Sequence, residues 1–131
     1  MILLDTHAWV WWLTAPRRLS AKARAAIRDN LAGDGVSVSC FSTWEIAMLV
    51  ARGRLTLSLN LDQWLAECER IGGLRFAPVT NPIVCHAVNL PGSFHADPAD
   101  RIIVATARLT GAWLITGDEK ILGYPHVKTL W

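Results

Sequence analysis

A chain of 131 residues, 52% of them hydrophobic, is the size of one ordinary domain over residues 1–131 and needs neither disulfides nor a structural metal to bury a core. Its 13 Lys and Arg against 11 Asp and Glu leave a net charge of +2, which excludes nucleic-acid binding by bulk electrostatics and makes any polyanion site a local one. Cys40, Cys68 and Cys85 are odd in number and form no CxxC spacing, so neither a disulfide framework nor a zinc site is suggested and a reducing cytoplasm fits.

The opening "MILLDTHAWVWWL" has an acid at position 5 and no basic leader, so it does not read as a signal peptide, and no apolar run reaches membrane-spanning length. "MILLD" instead predicts a short strand buried on both faces and closed by Asp5. "THAWVWWL" follows as a helix, and "LSAKARAAIRDNL" as an amphipathic one with Leu19, Ala23, Ile27 and Leu31 on its stripe. "VSVSCF" predicts a strand, and "STWEIAMLVARG" a helix that opens at Ser42 and stops at Gly53. "LDQWLAECERIGG" is a further helix, "LRFAPV" a weak strand and "NPIVCHAVNLPG" a short helix. The next helix starts at Asp97-Pro98 and runs to about Leu109, followed by the strand "AWLIT", the helical turn "GDEKIL" and a terminal strand in "HVKTLW". Strands alternating with helices predict an α/β fold, a three-layer α/β/α sandwich on a short, mainly parallel central sheet.

In such sheets ligands sit beyond the carboxyl ends of the strands. Asp5, Glu45 and Asp118 fall at strand-to-helix junctions on that edge, and Asp100 joins them if its helix starts there too. Local explanations compete. Ser42 to Glu45, Thr116 to Glu119 and Asp97 to Asp100 all read as capping boxes, whereas Asp5 directly closes an apolar strand and is less simply a cap. If the four acids converge, electrostatics sets a requirement, because two like charges about 4 Å apart repel by roughly 4 kcal/mol at an effective dielectric of 20. Protonation or a hard divalent cation has to relieve this, and Mg²⁺ or Mn²⁺ in an acidic cup is suited to phosphodiester hydrolysis.

The stretches "LLDTHAWVWWL", "SCFSTWEIAMLVARGRL", "FHADPADRIIVATA" and "LITGDEKIL" resemble, in this order and over nearly the whole chain, the PIN-domain nucleases and in particular the VapC toxins of bacterial toxin–antitoxin pairs. The resemblance implies a Mg²⁺-dependent ribonuclease, with Mn²⁺ as a substitute ion, that cleaves RNA and is inhibited by a cognate antitoxin. It assigns Asp5, Glu45, Asp100 and Asp118 as the metal-site acids. It also assigns Thr6 and Thr116 as the hydroxyl residues that orient them. Arg101, directly after Asp100, is the expected positive charge near the site, and Asp97 is mainly a helix cap.

Other features have plainer readings. Trp9, Trp44 and Trp113 are expected in the core, and Trp11 or Trp12 at a subunit or antitoxin contact. The density of Trp and Leu suggests a homodimer and a groove for the antitoxin. Of the four histidines only His95, just before the acidic stretch, offers a substrate contact, and a bland role is the expectation even there, while Arg17, Arg18, Lys22, Arg24 and Arg28 read as a solvated face. Two other functions compete. A catalytically silent PIN-like module that binds RNA or protein predicts loss of an acid, and none is lost. A phosphatase of the haloacid dehalogenase type predicts an acid two positions after Asp5, where this chain has His7.

Overall fold

The computed structural model describes residues 1–131. Five strands, β1 (Ile2–Leu4), β2 (Val36–Ser39), β3 (Leu74–Ala77), β4 (Trp113–Ile115) and β5 (Thr129–Leu130), form one sheet in the order β3-β2-β1-β4-β5 with every pairing parallel. Helices α1 (Thr6–Thr14), α2 (Ala21–Leu31), α3 (Cys40–Ala51), α4 (Leu61–Glu69), α5 (Asn81–Val88), α6 (Pro98–Thr110) and α7 (Glu119–Leu122) connect them. The architecture is the expected three-layer α/β/α sandwich.

The central strand shows why its sequence is apolar throughout. Ile2 and Leu4 point into one core with Trp9, Ile27, Ile46 and Trp64, while Leu3 points into the other with Ile83, Ile103, Val104 and Leu114. A strand covered on both faces has no polar side to alternate with. Each of these side chains contributes about 1.5–3 kcal/mol of gross burial energy.

The chain lays β2 and β3 on one side of β1, then crosses to lay β4 and β5 on the other. The strand order therefore reverses between β1 and β4, and the crevice beyond their carboxyl ends is where such a sheet accepts a ligand. Asp5 follows β1 directly, and Asp118 is the third residue after β4.

Two expectations about the core are corrected. Trp44 and Trp113 are exposed, at 56% and 46% of their surface, and only Trp9 of the three is buried. Trp44 lies on the outer face of α3, against Phe41, because the buried positions of that helix are Ser42 and Ile46. Trp113 flanks the start of β4, with the Lys128 ammonium 5.6 Å from its ring centroid.

Candidate active site

The junction after β1 is fixed by a short polar network. Asp5 is the N-cap of α1, its Oδ1 accepting the Thr6 N–H at 2.7 Å, so the acid that seemed least like a cap is one. Its Oδ2 accepts the Thr116 hydroxyl at 2.8 Å, and Thr116 Oγ1 in turn accepts the Asp118 N–H at 3.1 Å. One buried hydroxyl therefore ties the ends of β1 and β4 together. Asp118 caps α7 through Oδ1, which accepts the Lys120 N–H at 2.8 Å. His7 adds a second strut: its Nε2 accepts the Gly117 N–H at 3.1 Å, which leaves the ring proton for Nδ1, 3.4 Å from Asp5 Oδ2.

Glu45 reaches the same place from α3. The helix begins three residues earlier than the Ser42 capping box predicts, with Ser39 as N-cap and its hydroxyl accepting the Phe41 N–H at 3.0 Å. Glu45 is thus in the second turn and free of any capping duty. The Thr6 hydroxyl donates to Glu45 Oε1 at 2.5 Å and lies 2.8 Å from Ser42 Oγ. Ser42, fully buried, is a member of the network rather than a cap.

Asp97 and Asp100 separate at the start of α6. Asp97 is the N-cap, accepting the Ala99 N–H at 3.0 Å, while Asp100 in the first turn accepts no backbone hydrogen bond. Its neighbour is His95, expected to be inert, whose buried Nε2 lies 3.1 Å from Asp100 Oδ2 and whose Nδ1 accepts the Asp97 N–H at 3.3 Å. Arg101 departs from expectation in the other direction. Its guanidinium donates to the carbonyls of Ala87, Val88, Phe94 and His95, so it staples α5 and the following loop to α6 and leaves nothing for the acids.

Asp5, Glu45, Asp100 and Asp118 line one cavity of about 270 Å³, together with Thr6, His7, Trp11, Arg54 and the apolar Val10, Leu49 and Leu55. The electrostatic consequence falls on two of them. Burial raises the Asp100 carboxyl, and the charges of Asp5, Asp97, Asp118 and Glu45 push it further, up to about 7. Burial also raises Glu45, against the hydrogen bond from Thr6 and with the charges of Asp5 and Asp97. Asp97, though a cap, thus adds to the negative field. Arg54 was not singled out by sequence reasoning, and Trp11, His7 and His95 were named there without a place in this cavity; for Arg54 the available signal was a basic residue directly after the glycine that ends α3.

The donors around this cavity are carboxylate oxygens, which suit a hard cation rather than zinc or copper. No three His, Cys, Asp or Glu side chains are arranged to hold an ion by themselves. The set therefore fits Mg²⁺ in its usual manner, held by one or two carboxylates with water completing the shell, and does not fit an all-protein cage.

The PIN domain model matches residues 2–126. Ribonuclease VapC22 of Mycobacterium tuberculosis is 36% identical over 132 residues, covering 99% of this chain and 98% of that protein. Among solved structures, VapBC2 from Rickettsia felis bound to a promoter DNA fragment superposes with a TM-score of 0.71 at 15% identity, covering 99% of this chain and 98% of the other. FitAcB from Neisseria gonorrhoeae gives 0.70 at 22% identity, covering 100% and 97%. These likenesses carry the fold, and the family model and the 36% identical relative carry the family. The chain belongs to the PIN domain family.

Proposed function

We propose that this protein is a Mg²⁺-dependent endoribonuclease, the toxin of a toxin–antitoxin pair, working in the cytoplasm as a homodimer and restrained by a cognate antitoxin. The observation that carries the reading is the cavity at the β1–β4 crossing, which four carboxylates line with none of them paired to a lysine or arginine, and where Asp100 is not spent on capping. The likeness to ribonuclease VapC22 supports the choice of RNA, and the likeness to a toxin–antitoxin complex from Klebsiella pneumoniae, with a TM-score of 0.66 at 18% identity, supports the partner.

Of Asp5, Glu45, Asp100 and Asp118, one or two would hold the ion directly and the others through its water shell. When bound, Mg²⁺ supplies Lewis-acid stabilisation of charge developing on the phosphodiester and a lowered pKa for water. The chain's own residues prepare the acids for it. Thr116 and His7 fix the Asp5 carboxylate from two directions, and Thr6 aims Glu45 inward. Asp100, raised to about 7 by burial and its acidic neighbours, is favoured in its ionised form where a cation's charge is supplied, and it spends no oxygen on capping. Val10, Trp11, Leu49 and Leu55 form apolar walls that reduce the water around the reacting bond.

RNA cleavage by the purified protein with Mg²⁺ and with excess chelator tests the reading. Cleavage that requires the metal and disappears in Asp100→Asn is the expected result. RNA that binds but stays intact at millimolar Mg²⁺ or Mn²⁺ would leave the silent binding module in its place.

A further inference from the structure

The wall of the acidic cavity carries one guanidinium, that of Arg54. Its side chain is exposed and makes no ion pair and no hydrogen bond within the chain, although four carboxylates line the same cavity. Three other arginines are committed, Arg101 to four carbonyls, Arg24 to the carbonyls of Pro16 and Leu19 and Arg18 to the face of Trp11, while Arg52, the C-cap of α3, is exposed but does not line the cavity. None of the four acids pairs with Arg54, so Arg54 lines the cavity with its charge not neutralised by them.

That position is built rather than incidental. The Gly53 N–H bonds the Val50 carbonyl at 3.1 Å and the Arg54 N–H bonds the Leu49 carbonyl at 2.9 Å, the two bonds of a Schellman motif, with Gly53 at φ 69° supplying the left-handed residue. Arg54 is therefore delivered by the terminus of the same helix that carries Glu45. Leu49 and Leu55 line the wall on either side of it in sequence.

A cavity with four acids repels the polyanion it has to admit, and the ion at its floor compensates only locally. A backbone phosphate beside the reacting bond needs a donor of its own. A guanidinium, always charged and with a planar fork of N–H groups, is suited to it. We propose that Arg54 is the phosphate-binding residue of this site, holding an RNA backbone phosphate that flanks the cleaved bond while the acids act on the bond itself. The inference rests on the ribonuclease reading above.

The test compares wild type, Arg54→Gln, Arg54→Lys and, as a control for the loss of one surface charge, Arg70→Gln, whose side chain pairs with Glu67 on α4. Cleavage of a randomised single-stranded RNA pool with Mg²⁺ gives KM and kcat, and fluorescence anisotropy in Ca²⁺ gives binding as a function of salt. Arg54→Gln should raise KM and the dissociation constant about tenfold, the lower end for a charge-assisted hydrogen bond, with kcat within about threefold of wild type. The slope of log affinity against log salt should fall by about 0.7, the value for one phosphate of a single strand. Arg54→Lys should recover part of the loss, and Arg70→Gln should match wild type. Wild-type cleavage with unchanged KM and salt slope in a folded Arg54→Gln protein would overturn the assignment and leave the nuclease reading standing. A wild-type protein that neither binds nor cleaves RNA would remove both.

Discussion

Asp97 Oδ1 takes the Ala99 N–H, whereas the Asp100 carboxylate faces His95 and three other acids. The two residues look interchangeable as letters and differ in what they cost the fold. Asp97→Ala should lower stability by about 1 kcal/mol, as cap losses do, and leave most cleavage, measured by urea denaturation and RNA cleavage on the same preparation. Asp100→Asn should abolish cleavage while the protein stays folded. The pH dependence follows from the same environment. The folded-state pKa of Asp100, about 7, lies above its ordinary 3.8, so between these values the native state binds more protons than the unfolded chain. Its contribution to stability is therefore fully present below about pH 4 and is lost as the pH rises through 7. Metal-free wild type should lose more stability than Asp100→Asn between pH 5 and pH 8 in parallel urea titrations, and added Mg²⁺ should narrow the difference at pH 8. Equal pH dependence in the two proteins would remove the electrostatic account of the cavity.

At the scale of elements, the strands were legible because short apolar runs bounded by turn residues have few other uses, and "MILLD", "VSVS" and "AWLI" all became parallel strands. The start of α3 was not, because Cys40 and Phe41 continue the apolar run of β2 and Ser42 imitates a cap; the Ser39 hydroxyl decides the boundary, and only the backbone shows it. The orientation of Trp44 and Trp113 was equally invisible, since it depends on which face a neighbouring element covers. At the candidate site the four acids could be picked out by their junction positions, but their connections could not. The bond from Thr116 to Asp5 spans 111 residues, and no periodicity reports it. Arg101 is the instructive miss: an arginine next to a functional acid turned out to satisfy four carbonyls at the end of α5 and in the loop beyond it. Arg101→Met, which keeps the apolar stem, should lower stability by about 2–4 kcal/mol in urea denaturation, because it strands carbonyls bound by a charged donor. It should leave the salt slope of RNA binding unchanged, the opposite signature to Arg54→Gln.

For the whole molecule, the open question is what covers its remaining apolar surface. Val88 is 71% exposed and Val84 43%, both on α5, and with Ala87, Ala96, Pro98 and Ile102 they line a largely apolar depression between α5 and α6. Isolated exposed apolar residues need no explanation, but a contiguous patch on two packed helices does. The Arg101 staple holds the two helices in one fixed relation, so the patch is a preformed surface and little ordering opposes association. If the proposed homodimer forms on this face, a charge at its centre breaks it. Placing a carboxylate at its centre with Val88→Asp disturbs no internal packing, because the side chain is mostly in water in the monomer, yet it buries an unpaired charge in any dimer built there. Wild type should therefore sediment as a dimer at about 10 µM and Val88→Asp as a monomer with the same circular dichroism spectrum; a shift of this kind corresponds to at least a tenfold weaker association, or about 1.4 kcal/mol. A wild-type monomer at that concentration would refute the homodimer, and a dimer unaffected by Val88→Asp would move the contact to another face.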